Sequence, residues 1–304
     1  MLLPVLFLIF LFGMLTHPAL GHTYASLGLR LWAEHMIPSL FPFMILSDLM
    51  IRTGKVNILA SFFHPLIGKL FQASPNACYC ILVGFLCGFP MGARSVSDCY
   101  RQGQITKKEA EWLLCFCNQI GPVYFAGVVL PILGLKSHRC LYWLGMYAIP
   151  IFYGMILRKT IYRNFHQSRP EPSKGSAASD ARAFGPALDE SIKSAVRSIL
   201  NLGGYIVFFC VCNFLPEFLL GKPCPVLGLL FEINSGLLAM QDKAPVISLT
   251  FLCFGGLSCI AQTYNSLQET DLTEFIGLYT FHKLILSLII FLYYFLLRLF
   301  LVIR

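Results

Sequence analysis

Polar side chains inside the hydrophobic runs of this chain are few, and they gather beside glycines and a proline. Ser95, Asn118 and Gln119 lie near Gly88, Pro90 and Gly92 in the first half, and Ser258, Gln262 and Asn265 follow Gly255 and Gly256 in the second. A hydroxyl or amide in hydrocarbon costs free energy unless it finds a partner, so it either ties helices together or faces a polar cavity. Proline and glycine interrupt helices and release backbone groups from their usual bonds. Amides, hydroxyls and freed backbone at one depth can bind a small solute or a cation reversibly. Asn118 is the strongest single candidate, because Gly121-Pro122 beside it frees backbone at the same depth.

Acids in apolar runs are rarer still. Glu232 lies in Leu229-Leu230-Phe231-Glu232-Ile233-Asn234-Ser235-Gly236. An unpaired carboxylate in that setting would cost at least about 2.5 kcal/mol on insertion scales, so it must be protonated, paired or in water. Its chemistry would be proton or cation coupling, or, with Asn234, a hydrogen bond to a solute. Asp48 and Arg52, at i and i+4, read as a structural ion pair. Arg94, Asp98 and Arg101 form an ion-paired helix face first and a gate second. His282-Lys283 in the last apolar run could relay a proton or could snorkel to an interface.

No enzyme motif accompanies these groups. Gly-x-Ser-x-Gly, His-Glu-x-x-His and a phosphate-cradling loop ending in Gly-Lys-Ser/Thr are all absent from the sequence, so neither an enzyme nor a cofactor is expected. The twelve cysteines fall mostly inside apolar runs, where Cys packs as a small hydrophobe. The Cys-x-Cys pairs 78/80, 115/117 and 210/212 point about 200° apart on a helix, which cannot chelate one metal.

The elements that carry these residues must lie in lipid. Of 304 residues 57% are apolar and 12% charged, about half the charge a soluble domain needs. Residues 1–15, 140–157, 205–215 and 281–303 supply all or most of the roughly 20 apolar residues that span about 30 Å of hydrocarbon. Helices or closed barrels alone satisfy their backbone there. The runs are continuous and rich in Leu and Phe rather than alternating, which excludes a barrel. The fold class is therefore an all-α, multi-pass helical protein of the cell membrane. Its net charge of +8 comes mostly from basic residues flanking apolar runs or in one central loop, so it points to the bilayer and not to nucleic acid.

Along the chain, the first apolar run reads as a retained helix, since it lacks a basic leading segment. Residues 27–51 open as an interfacial turn and dive inward at Pro38 and Pro42. Residues 57–71 are short and polar enough to be re-entrant. A helix from residue 80 breaks at 88–92. Thr106-Lys107-Lys108-Glu109 matches a capping box, predicting a fresh helix from Lys107 to Gln119. Residues 167–186 have the Pro, Ser and Gly content of a flexible linker. The chain thus divides into a first membrane unit (1–157, with an extra N-terminal helix), a cytoplasmic linker (158–190) and a second membrane unit (191–304).

The two units look like repeats. Residues 85–92 align with 251–258 at an offset of 166, then Ser97 meets Thr263, Gln102 meets Gln268 and Ile105-Thr106 meets Leu272-Thr273. Residues 37–46 also lie over 199–208. Three matches in one order favour duplication over shared low complexity. Paired Gly/Pro interruptions at corresponding places in two halves point to a mid-membrane binding site. Gly84, Gly88 and Gly92 also form a small-residue stripe suited to close helix packing.

Gly84-Phe85-Leu86-Cys87-Gly88-Phe89-Pro90-Met91-Gly92-Ala93-Arg94, then Ser97-Asp98, Gly103-Gln104-Ile105-Thr106, Cys117-Asn118 and Gly121-Pro122, resemble the sporulation integral membrane protein YlbJ family. The 231–236 and 254–258 segments resemble that family's later motifs. It belongs to the wider group with a nucleoside-recognition or Gate domain, which includes nucleoside transporters and the membrane part of ferrous-iron transporters. The resemblance covers most of residues 27–295, and implies a membrane protein of a spore-forming bacterium needed for the spore cortex, in the membranes around the forespore. The substrate motifs of true nucleoside carriers have no counterpart that can be placed residue by residue.

Two functions follow as expectations. The first is a secondary transporter or permease of a small solute, with a coupling ion. The second is a non-transporting scaffold that recruits cortex-assembly partners. Besides the lipid bilayer, a homo-oligomer is compatible with the sequence. The segment 158–197 carries eight basic residues against four acidic ones, which places it, with Arg304, in the cytoplasm. On a Cys-depleted background, a cysteine at Ser176 should resist impermeant thiol reagents added to intact cells; labelling from outside would reverse the orientation.

Overall fold

The computed structural model describes residues 2–163 and 184–301, and regular structure among them is entirely helical. Among the described residues, four stretches are long and apolar enough to cross a membrane: Arg139–Lys159, Phe184–Leu220, Pro245–Leu267 and Asp271–Phe300. Shorter apolar helices, among them Pro75–Leu86 and Pro122–Ile132, pack beside them. The N-terminal helix Leu2–Thr16 lies against Phe214–Leu220, with Phe10 edge-on to Phe214 at 6.1 Å.

The expected interfacial turn near residue 30 is not a separate element. Pro18–Arg30 runs through a π turn, Leu31–Met36, into Ile37–Arg52 as one helix. Trp32 holds it to the second half by donating to the Ile199 carbonyl at 2.8 Å. The segment read as re-entrant forms one helix, Val56–Phe71, with Pro65 inside it.

The two ends of the stretch expected as a linker are helical. Residues 164–183, the bulk of the expected linker, lie outside the described residues, and the helix Phe184–Cys212 begins at its end and runs through residue 190. Its buried residues Ala187, Ser191, Ala195, Ile199, Leu202, Ile206 and Cys210 recur every three or four positions. That stripe faces the protein and outweighs the charges on the other side, which pair along the helix, as Lys193 does with Asp189 at 2.6 Å.

Breaks occur where glycine and proline predict them. Pro75–Leu86 and Met91–Arg101 are separated by Gly88, at φ 86°, and the cis peptide Phe89-Pro90. Pro245–Phe254 and Gly256–Leu267 are separated by Gly255, at φ 89°. A third break falls at Glu232, between Pro225–Phe231 and Ile233–Met240, which fold back on each other as a hairpin. There a Cβ on Gly236 would come within 2.1 Å of the Leu229 nitrogen, so only glycine permits the approach.

The fourth interruption comes earlier than expected. Thr106 caps Lys107–Leu114, accepting from the Glu109 N–H at 3.2 Å, as the capping box predicts. The helix then ends at Leu114 instead of Gln119, and 118–121 belong to no helix, with Gly121 extended at φ −70° and ψ 140°. Glu109 also reaches across to the Ser74 N–H at 3.0 Å, at the start of Pro75–Leu86. Trp112, Phe71 and Phe116 fill the space behind this turn, and Trp112 donates to the Gly154 carbonyl at 2.9 Å. The side chain packing that anchors residues 112–116 thereby strips 118–121 of helical bonds.

Candidate functional site

The interruptions meet at one place inside the protein. A Cβ on Gly84 would sit 2.1 Å from the Cys117 carbonyl oxygen, and one on Gly88 2.5 Å from the Gly121 nitrogen, so the first break lies directly on the non-helical segment. The small-residue stripe of the sequence thus lets the two helices approach, with Gly84 against Gly92, and also admits the backbone of residues 117–121. Gly255 lies against the ring of Phe89, and Gly256 against the last carbonyls of 225–231, so the second and third breaks join the same centre.

Lys283, on helix Ile276–Leu301, fills that centre and is only 1% exposed. Its ammonium donates to the Asn118 carbonyl at 2.6 Å, the Cys253 carbonyl at 3.1 Å and Gln119 Oε1 at 3.3 Å, and lies 4.4 Å from the centre of the Phe89 ring. Both carbonyls are released by the breaks. In an unbroken helix Asn118 would bond to residue 122, which is a proline without an N–H, and Cys253 would bond to residue 257, beyond the turn at Gly255. Three ammonium protons therefore meet three oxygens. Lysine snorkelling to an interface is corrected: Lys283 points inward. Its neighbour His282 is bonded through Nδ1 to the Tyr153 hydroxyl at 2.6 Å.

Asn118 is fully buried and ties three elements together. Its Nδ2 donates to Thr263 Oγ1 at 3.1 Å and to the Tyr279 hydroxyl at 3.0 Å, while Oδ1 accepts from the Ala93 N–H at 3.3 Å. Gln119 is likewise spent, donating to the Phe116 carbonyl at 3.1 Å. Ser95 donates to the Gly92 carbonyl at 2.9 Å. Gly92 abuts Asn118, where a Cβ would fall 2.9 Å from Oδ1. These residues line neither cavity described below, and their interactions are those of a scaffold.

Glu232 sits at the N-terminus of Ile233–Met240, where its carboxylate accepts from the Ser235 N–H at 2.7 Å and from Asn234 Nδ2 at 2.8 Å. The helix end supplies the compensation that the apolar sequence denies it. Asn234 Oδ1 in turn accepts from the Tyr124 hydroxyl at 2.6 Å, which carries the network to helix 122–132.

Two cavities approach this centre. One, of about 600 Å³, is mostly apolar and is bordered by Gly88, Phe89, Tyr124, Glu232, Asn234 and Gln262 among others. The other, of about 490 Å³, is charged and is bordered by Pro90, Arg94, Asp98, Arg197 and Asn265 among others. Leu202 and Gln262 border both. Gln262 Nε2 donates to Ser258 Oγ one turn earlier at 2.9 Å, which fixes the amide across the wall between them.

Ion pairs gather round the charged cavity. Arg52 meets Asp48 at 2.5 Å and Glu190 at 2.6 Å, Arg94 lies 3.7 Å from Asp98, and Arg101 bridges Asp98 at 3.0 Å and pairs with Glu269. They join the ends of helices 37–52, 91–101, 184–212 and 256–267.

Of the residues singled out from sequence, Gly88, Glu232, Asn234 and Gln262 border the apolar cavity and Pro90 the charged one. Ser95, Gly92, Asn118, Gln119, Gly255, Gly256 and Ser258 support the wall behind them. Sequence reasoning missed Lys283 as a central residue, although its signal was present: a lone lysine in a 26-residue apolar helix demands partners. Leu202 and Tyr124 carried no signal, since apolar and aromatic residues on membrane helices are common.

The fold and the site define an all-α, polytopic membrane protein whose interrupted helices converge between two open cavities. No family model matches the chain, and no solved structure matches it. It is similar to sporulation integral membrane protein YlbJ of Bacillus subtilis (strain 168), 27% identical over 319 aligned positions that cover 90% of this chain and 76% of that protein.

Asn118→Ala should reduce stability, because it strands the Ala93 N–H and removes the ties to Thr263 and Tyr279. Each buried group so orphaned costs about 1–3 kcal/mol. Thermal unfolding of the purified variant should show a clear fall in Tm; an unchanged Tm would contradict the scaffolding role.

Proposed function

We propose that this chain is a carrier or permease for a small solute that acts during spore formation. The observation that carries the reading is the pair of cavities, one charged and one apolar, that share Leu202 and Gln262 as a thin wall at the helix breaks. A rigid scaffold has no need of polar groups on both sides of such a wall, whereas a protein that admits a solute from alternate sides does. In this reading the halves are diverged copies of one unit, Glu232, Asn234 and Gln262 hydrogen-bond the solute, and the ion pairs around Arg94 and Asp98 close the cytoplasmic end. No bond is made or broken.

Similarity to a sporulation integral membrane protein supports placing this transport in sporulation, in the membranes around the forespore, with cortex formation as its outcome. A relation to Gate-domain carriers fits the same reading and brings nucleosides into the solute panel.

Uptake should be measured in proteoliposomes against nucleosides, sugars, amino acids and cations. At least one class should accumulate, and Glu232→Gln and Gln262→Ala should each cut the initial rate by about tenfold, the worth of one or two lost hydrogen bonds. A folded protein that moves none of them, yet restores sporulation to a Bacillus subtilis strain lacking its YlbJ protein, would favour the scaffold.

A further inference from the structure

A transporter with broken helices commonly binds a free cation where half-helix carboxyl ends and unwound carbonyls converge. Here that place is taken by a side chain. The carbonyl of Cys253 ends helix 245–254, the carbonyl of Asn118 lies in the non-helical segment, and Gln119 adds an amide oxygen; all three face the Lys283 ammonium, whose remaining side is covered by the Phe89 ring. The negative end of the helix dipole at Cys253 and the quadrupole of Phe89 both favour a cation at this point. Three oxygens and a ring face, drawn from both halves of the chain, form a cation-binding shell around the ammonium.

We propose that the Lys283 ammonium is a tethered cation, standing where the two interrupted helices would otherwise hold a free monovalent cation. The site needs no alkali-metal ion while Lys283 is present, and becomes a site for one when the side chain is cut back. The consequence for coupling rests on the carrier reading: a solute carrier built this way is not driven by a sodium or potassium ion bound between these breaks. The site itself does not rest on that reading, and its test uses no transport.

Lys283→Ala leaves the three oxygens in place and opens the volume of an ion with its water. Lys283→Ser does the same and adds a hydroxyl as a further ligand. Each purified variant, and the unaltered protein, should be unfolded thermally in detergent in sodium, potassium or choline chloride at matched ionic strength. The unaltered protein should have the same Tm in all three. The variants should be more stable in sodium or potassium than in choline, by roughly 2–4 °C when the ion stands near ten times its dissociation constant. Variants that respond equally to all three salts, or that cannot be recovered folded in any of them, would overturn the proposal. So would specific stabilisation of the unaltered protein by sodium or potassium. Loss of uptake with the salt pattern intact would count against the carrier and not against the tethered cation.

Discussion

A full positive charge at the centre of a membrane protein is tolerated only if the protein supplies what water would have supplied. Lys283 meets this requirement with oxygens that exist because two helices stop. If 245–254 continued past Gly255, the Cys253 carbonyl would be consumed within the helix, and if residues 107–114 continued to Gln119, the Asn118 carbonyl would no longer be positioned by a non-helical stretch of backbone. The same helix that brings Lys283 brings Tyr279 one turn earlier, and its hydroxyl receives the Asn118 amide at 3.0 Å. The breaks and helix 276–301 therefore hold one another in place. The glycines at 84, 88, 92 and 255 serve this arrangement by letting backbone, or the Phe89 ring, approach where a Cβ would collide.

What the sequence disclosed follows the strength of its local signals. Gly88-Phe89-Pro90 and Gly255-Gly256 announced their breaks, because proline and paired glycines act on the backbone where they stand. Glu232 stood out as an acid among leucines, yet its role as the cap of a short helix depended on a fold-back hairpin that no local pattern encodes. The early end of helix 107–114 was hidden for the same reason. Residues 115–119 hold no glycine or proline that would stop a helix, and it is the packing of Trp112 and Phe116 on distant partners that turns the chain. In the charged stretch 184–197 the composition suggested a loop, while the three-to-four spacing of Ala187, Ser191 and Ala195 carried the helix. Periodicity was the better guide there, because small residues give little hydropathy even when they are buried.

Asn118 lies at the convergence of the breaks, and every polar atom of its side chain is committed to Thr263, Tyr279 or Ala93. Gln262 is the opposite case. Its single side-chain bond, to Ser258, leaves it at the boundary of both cavities, with Leu202 of helix 184–212 beside it. In the proposed carrier, Asn118 holds the fold while Gln262 is left to meet the solute.

The proposed carrier requires that Gln262 stand in a wall between two cavities reached from opposite sides rather than in a sealed core. It is tested most directly by a single cysteine at position 262 on a Cys-depleted background, exposed to a small charged thiol reagent in membrane vesicles of each orientation. The account predicts labelling from both sides. Protection from both sides, in a protein that remains folded, would contradict it.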